Sequence, residues 1–216
     1  MATVAIIDYG MGNLHSIAKA LEYVGGDTRV WVGHDPKTIL RADRVVFPGV
    51  GGIGHCMDEL RRLELDAVIV EVAATKPLLG VCLGLQALLE FSEENSGTSC
   101  LSILPGKVRR FPSASLDRLS SETSLKVPHM GWNQVHQEAT HPLWKNIPQD
   151  SRFYFVHSYY ADPANPENQA GTTFYGAGFA AALAKDNIFA VQCHPEKSQQ
   201  SGLTLLSNFL EWDGQV

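Results

Sequence analysis

The chain has 216 residues, of which 44% are hydrophobic and 19% charged, and 17 Lys and Arg against 23 Asp and Glu give a formal charge of −6. That length supports one substantial core, and a single domain is expected over residues 1–216; the mild acidic balance, with no basic block, argues against nucleic acid as a partner. The opening run Met1 to Ile7 has no basic flank and meets Asp8, and Leu65 to Ala74 carries Asp66 and Glu71, so neither a signal peptide nor a membrane span is expected and a cytosolic setting is.

Taken in chain order, Val4 to Asp8 reads as a buried strand ending at the turn Tyr9-Gly10-Met11-Gly12. Leu14, Ile17, Ala18 and Leu21 then recur at helical spacing until Gly25-Gly26 closes the helix. Arg29 to Val32 and Arg44 to Phe47 read as strands on either side of a short helix after Pro36. Beyond Pro48-Gly49-Val50-Gly51-Gly52 come helices through Met57-Leu60-Leu63 and Val68 to Val72. A strand from Pro77 to Val81 and a helix from Leu83 to about Phe91 follow. This alternation with tight Gly turns predicts a parallel α/β sheet.

The second half changes character. Lys107 to Phe111, Val127 to Val135, Arg152 to Tyr160, Thr172 to Tyr175, Phe179 to Lys185 and Ile188 to Cys193 predict strands in antiparallel succession. Ser198 to Trp212 predicts a closing helix with Leu203, Leu206, Phe209 and Leu210 on one face. Ser113 to Leu125, rich in Ser and charge, reads as a flexible surface excursion. The expected fold is α/β, with a mixed, mostly parallel central sheet flanked by helices and an antiparallel extension.

Cys56, Cys82, Cys100 and Cys193 are too scattered for a zinc site, and the eight histidines contain no H-x-x-x-H pair. Reduced thiols and no metal are therefore expected. One cysteine has telling surroundings. Gly80-Val81-Cys82-Leu83-Gly84 lies between a predicted strand and a predicted helix, the nucleophile-elbow pattern with Cys in place of Ser. The sharp turn demands small residues two before and two after, and it sets the sulfur at a helix N-terminus, where unpaired N–H groups favour thiolate. A buried Cys in a tight turn fits the pattern equally well when it stands alone.

Gln192-Cys193-His194-Pro195-Glu196 ends the last predicted strand. Positions i and i+2 of an extended segment share a side, so His194 can serve a thiol as proton acceptor while Glu196 fixes its tautomer. The alternative is a surface turn with solvated His and Glu. Two strand ends of one α/β chain supplying complementary groups favour the triad Cys82, His194 and Glu196. Cys193, on the opposite face of the strand, is expected to be a core thiol. The Pro48–Gly52 loop could add a backbone N–H, from Val50 or Gly51, to that of Leu83 in an oxyanion hole. A phosphate loop is the alternative, but no Lys or Arg follows, and Gly10-Met11-Gly12 is too short for a dinucleotide fingerprint. No cofactor is expected.

GVCLGLQ at Gly80 to Gln86, QCHPE at Gln192 to Glu196 and PGVG at Pro48 to Gly51 together resemble class I, triad-type glutamine amidotransferases. DYGMGNLHS at Asp8 to Ser16, VPHMGWN at Val127 to Asn133 and YFVHSYY at Tyr154 to Tyr160 narrow the resemblance to the glutaminase subunits that serve imidazole glycerol phosphate synthase. The resemblance implies that Cys82 attacks the side-chain amide of L-glutamine and that His194 protonates the departing ammonia. It also implies a glutamyl thioester that water then hydrolyses. Gly49, Gln86, Glu94 and the Ser158-Tyr159 stretch would hold the substrate, with Glu93 a neighbour able to replace Glu94. Ammonia would pass to a separate (β/α)₈ cyclase subunit, which uses it with PRFAR to make imidazole glycerol phosphate and AICAR. Asn13, Trp132 and Lys197 would lie at that heterodimer interface, and the oxyanion hole would be completed only in the complex. By themselves, DYGMGN reads as a βα turn and HMGWN as a strand with a bulge. Three features depart from the family pattern: Cys193 where an aromatic is usual, Gly52-Ile53 after PGVG, and the long Ser113–Leu125 excursion. Rival readings are another class I glutaminase subunit, such as that feeding pyridoxal phosphate synthase, a catalytically dead regulatory homologue, and a thiol protease.

Overall fold

The computed structural model describes residues 2–112 and 126–215; the excursion expected over 113–125 lies outside the described residues. The first half runs β1 (Thr3–Ile7), α1 (Leu14–Gly25), β2 (Arg29–Gly33), α2 (Pro36–Arg41), β3 (Arg44–Gly49), α3 (Ile53–Arg62), α4 (Leu65–Thr75), β4 (Leu78–Cys82) and α5 (Leu83–Ala87). The second half contains β5 (Phe91–Ser92), β6 (Thr98–Ser99), β7 (Gly106–Arg110), β8 (His129–Gln137), β9 (Ser151–His157), β10 (Tyr159–Pro163), β11 (Gln169–Tyr175), β12 (Ala177–Lys185), β13 (Ile188–Val191) and α6 (Gln199–Glu211).

Strands β2-β1-β3-β4-β13 form a parallel sheet, and β12, β10 and β7 extend it antiparallel. From β12, β11 leads to β8, and β8 pairs antiparallel with β9. This is the mixed α/β sheet that the sequence predicts, antiparallel extension included, but the extension is large enough that antiparallel pairings outnumber parallel ones, so the sheet as a whole is not mostly parallel.

The inner parallel strands β1, β3, β4 and β13 read as apolar runs because both faces of the sheet are covered there, whereas the edge strand β2 stays partly exposed. Along β1, Ala5 and Ile7 join the cluster under α2, α3 and α4, while Val4 and Ile6 join the cluster under α1 and α6. The same alternation divides Val45 and Phe47 from Val46 on β3, and Ile188 and Ala190 from Phe189 and Val191 on β13. Each Val, Ile or Phe among them, fully buried, contributes roughly 1.5–3 kcal/mol, which offsets the ordering cost of its residue only when a helix covers it. The sheet thus fixes β3, β4 and β13 side by side, with their carboxyl ends at one edge. That edge is where open α/β sheets hold ligands.

Several local expectations need correction. Helix α5 stops at Ala87 rather than near Phe91. The carbonyls of Ala87, Leu88 and Leu89, which would carry the helix on, accept instead from the N–H groups of Leu101, Ile103, Leu104 and Ser102. Arg152 to Tyr160 is two strands broken at Ser158, since β9 pairs with β8 whereas β10 pairs with β7 and β12. No bulge interrupts β8 against β9: the register runs unshifted from His129↔His157 to Val135↔Ser151, and Gly131, at φ +136°, supplies the irregularity within it. The irregular register is in β11, between Gln169 and Thr172. Helix α6 buries Gly202, Leu205, Leu206 and Phe209, leaving Leu203 and Leu210 at the margins of the expected face. The last strand ends at Val191, parallel to β4 and antiparallel to β12.

His141, before the short turn Pro142–Trp144, caps that turn by accepting from Leu143 N at 3.1 Å through Nδ1. Burial pushes the imidazole down to about 4. Between about pH 6.5 and 4 the unfolded chain therefore takes up a proton that the folded one refuses, so acidification through that window destabilises the fold. His141→Asn keeps a capping acceptor without a titrating ring. Urea unfolding of this variant is expected to lose about 2 kcal/mol less than wild type between pH 7 and pH 4; identical pH profiles would refute this role for His141.

Candidate active site

The site begins with one strained residue. Cys82 ends β4 at φ +53°, a region that side-chain-bearing residues seldom adopt, and α5 starts directly after it. The turn is enforced by close packing at both flanking glycines. A Cβ on Gly84 would stand 1.9 Å from the Phe47 carbonyl oxygen, and one on Gly80 would stand 3.0 Å from Ala190 Cβ. Leu83 N–H is the first of the helix, so no intrahelical carbonyl reaches it.

His194 and Glu196 come from the segment after β13, but not as two residues of an extended strand. His194 is extended, whereas Pro195–Lys197 turns into a single 3₁₀ turn that brings Glu196 back onto the ring. Glu196 Oε1 lies 2.9 Å from His194 Nδ1, and both side chains are 2% exposed. Burial opposes the imidazolium, but Cys82 and Glu196 on its two sides outweigh it and push His194 up to about 10. With Nδ1 engaged by the carboxylate, Nε2 is the free ring nitrogen, buried and without a hydrogen-bond partner among the described residues. The turn is tied to β9: His194 N donates to Tyr154 O at 2.8 Å, Tyr154 N donates to Ser198 Oγ at 3.0 Å, and Ser198 Oγ donates to His194 O at 2.6 Å. Gly202 lets α6 approach, since a Cβ there would meet Pro195 O at 1.9 Å.

Cys82 and His194 open onto a cavity of about 300 Å³ whose walls include Val50, Gly51, Leu83, Gln86, Glu94, Ser158 and Tyr159. That volume suits a ligand of amino-acid size. Gly51 stands at φ +97°, and Tyr9 Oη donates to Pro48 O at 2.9 Å, holding the Gly-rich loop over the sulfur. Gly49 is not on the cavity wall: it pairs in register with Cys82, and a Cβ on it would lie 2.3 Å from Tyr9 Oη, so close packing is what it provides. The two adjacent glutamates point to different neighbours. Glu94 faces the cavity and accepts from Ile53 N at 3.0 Å, while Glu93 accepts from Arg110 N and pairs with Arg109.

Asn13 donates to Glu196 Oε1 at 3.4 Å, from the N-cap of α1. Trp132 and Met130 project from the outer face of β8, where Trp132 meets Tyr154 edge-on and Lys197 Nζ lies 5.8 Å from the Tyr154 ring centroid. Cys193 is buried, and burial pushes its thiol well up, as expected of a core thiol. A larger depression, of about 590 Å³, is lined from β8, β10, β11 and β12 and contains neither Cys82 nor His194. Among the described residues there is no cluster of His, Cys, Asp and Glu able to hold a metal, and no helix is long and apolar enough to cross a membrane.

Sequence reasoning missed Gln192, fully buried with Nε2 3.7 Å from Cys82 Sγ, as well as His157, Ser198 and Gly202. Of these, only Gly202, a glycine inside a helical pattern, carries a local signal.

The family model of class-I glutamine amidotransferases matches residues 5–212. The imidazole glycerol phosphate synthase subunit HisH of Nitrosococcus oceani is 61% identical, with 99% of each chain covered. HisH 1 of Pseudomonas aeruginosa is 58% identical over 100% of this chain and 99% of its own. Among solved structures, PurLQS from Thermotoga maritima superposes with a TM-score of 0.72 at 16% identity, covering 97% of this chain and 98% of that one. The crystal structure of a glutamine amidotransferase gives 0.68 at 14% identity, over 96% of this chain and 97% of that one. At these identities the structures speak for the fold alone.

Proposed function

The chain belongs to the class I glutamine amidotransferases, in the branch of the HisH subunits of imidazole glycerol phosphate synthase, and from that premise we propose that Cys82, His194 and Glu196 are its catalytic triad. The observation that carries this reading is the strained Cys82 opening, beside a buried His194–Glu196 pair, onto a cavity roofed by the Gly-rich loop. The whole chain acts as one amidotransferase domain over residues 1–216.

Cys82 Sγ attacks the side-chain carbonyl carbon of L-glutamine, and the oxyanion is held by Leu83 N–H with a loop N–H from Val50 or Gly51. As the C–N bond breaks, the His194 imidazolium gives its proton to the leaving nitrogen, so that ammonia departs and a glutamyl thioester remains. Neutral His194 then takes a proton from water, whose oxygen attacks the thioester; collapse of the second oxyanion releases glutamate and the thiolate. Glu196 holds the ring in one tautomer throughout. Glu94, Ser158 and Tyr159 line the substrate's cavity. Gln86 spends both N–H donors inside the protein, on Tyr159 O and Gln192 Oε1, so its own Oε1 is what it offers a substrate N–H.

Ammonia is delivered to a (β/α)₈ cyclase subunit, which converts PRFAR to imidazole glycerol phosphate and AICAR in histidine biosynthesis. The exposed Trp132 and Lys197 flanking Tyr154, with Asn13 on the triad carboxylate, form the heterodimer surface. The setting is cytoplasmic and the chemistry needs no cofactor. Glutamate release from L-glutamine, measured with the chain alone and with cyclase plus its nucleotide ligand, is expected to rise in the complex, within the roughly 5–150-fold range of allosteric coupling. Trp132→Ala is expected to reduce that rise. High activity indifferent to cyclase would move the chain to another glutaminase system, and none in either state would mean a regulatory homologue.

A further inference from the structure

The mechanism above leaves one side chain beside the sulfur without a task. Gln192 is fully buried at the end of β13, and its Nε2 donates to Cys82 Sγ at 3.7 Å. Its orientation is set from behind. Gln192 Oε1 accepts from Gln86 Nε2 at 3.0 Å, and Gln86 Nε2 also donates to Tyr159 O at 2.9 Å. Tyr159 O in turn accepts from His157 Nδ1 at 2.8 Å, which leaves His157 Nε2 as the acceptor for His129 Nδ1 at 2.9 Å. Both imidazoles are held neutral by burial, so each has one donor and one acceptor nitrogen, and Tyr159 O, which can only accept, turns the Gln86 amide so that its Nε2 is the donor to Gln192 Oε1. Flipping the Gln192 amide would set donor against donor at Gln86 and oxygen against sulfur at Cys82. The network, rather than free choice, therefore aims the N–H at the nucleophile.

We propose that Gln192 is a positioning residue for the nucleophile: it holds Cys82 Sγ in its attacking orientation and favours the thiolate by donating an N–H to it, with Gln86 as the group that aims it. The proposal rests on Cys82 being the nucleophile. A hydrogen bond to the charged form stabilises that form in a buried site more than it does in water. One amide, that of Gln86, then serves two purposes, facing the substrate cavity and steering the residue that holds the sulfur.

The test is the pH profile of iodoacetamide alkylation at Cys82, followed by peptide mass, together with kcat and KM for glutamine. Gln192→Met keeps the length and loses the donor; Gln192→Glu keeps the acceptor for Gln86 and loses the donor, which covers a Met variant that fails to fold. For either folded variant the alkylation profile is expected to move up by about one pH unit. Turnover is expected to fall on the order of tenfold with KM nearly unchanged, the signature of an interaction made to the reacting group rather than to bound substrate. A folded variant with the wild-type alkylation profile and kcat would overturn the proposal. Alkylation needs no glutamine turnover, so a wild-type chain without glutaminase activity would refute the functional reading while this profile still decides the role of Gln192.

Discussion

Cys82→Ser is expected to lose glutaminase activity on the order of 10⁴-fold or more while still folding and still binding glutamine. Serine suits the turn, since the elbow pattern accepts either residue at its centre, so the strained φ of +53° is kept. Loss of nucleophilicity is what remains. Sulfur is intrinsically the better nucleophile, whereas a hydroxyl needs a base at the moment of attack. The sulfur is one of the two groups that push His194 up to about 10, so replacing it also removes part of what keeps the imidazole protonated for transfer to the leaving nitrogen. Glutamate release measured beside glutamine binding by calorimetry would separate the two effects. A serine variant keeping more than a tenth of wild-type turnover would place the nucleophile elsewhere, and Cys193, buried with its thiol pushed well up, could not take over.

The parallel half of the fold was legible because β1, β3, β4 and β13 are covered on both faces, which writes apolar runs between turn glycines, while the edge strand β2 is read from its β-branched and aromatic residues. The nucleophile turn was legible for a related reason: close packing at Gly84 forces one residue type at one spacing, and spacing is visible in a sequence. The limits appear where partners are distant. Nothing near Phe91 announces that the 101–104 loop will take the carbonyls that would have lengthened α5. Nothing near Ser158 announces that the residues on its two sides pair with different strands. In the site, His194 and Glu196 were found through their proximity in the chain, although a turn rather than a strand brings them together. Gln192 stands inside the same QCHPE run and went unread. An amide acquires meaning only from what it touches, here a sulfur 110 residues away and an amide 106 residues away.

Gly84→Ala tests whether that close packing is as decisive as its spacing implies. The added Cβ would stand 1.9 Å from the Phe47 carbonyl oxygen and 2.9 Å from its carbon, both backbone atoms of β3, so no side-chain rotation relieves the clash. Either α5 moves outward or β3 shifts, and β3 is locked in register between β1 and β4. Displacing α5 carries Leu83 N–H and Cys82 with it, while the Gly-rich loop stays with β3. The expected loss is about 3 kcal/mol of stability or more in urea unfolding, with glutaminase activity reduced on the order of 10²-fold in whatever folds. Gly178→Ala on β12 is the control: its Cβ would meet nothing within 4 Å, so stability is expected to stay within about 1 kcal/mol of wild type and activity to be unchanged. Equal behaviour of the two variants would mean that the α5–β3 contact yields easily. The strain at Cys82 would then need another source than the packing of Gly84 against Phe47.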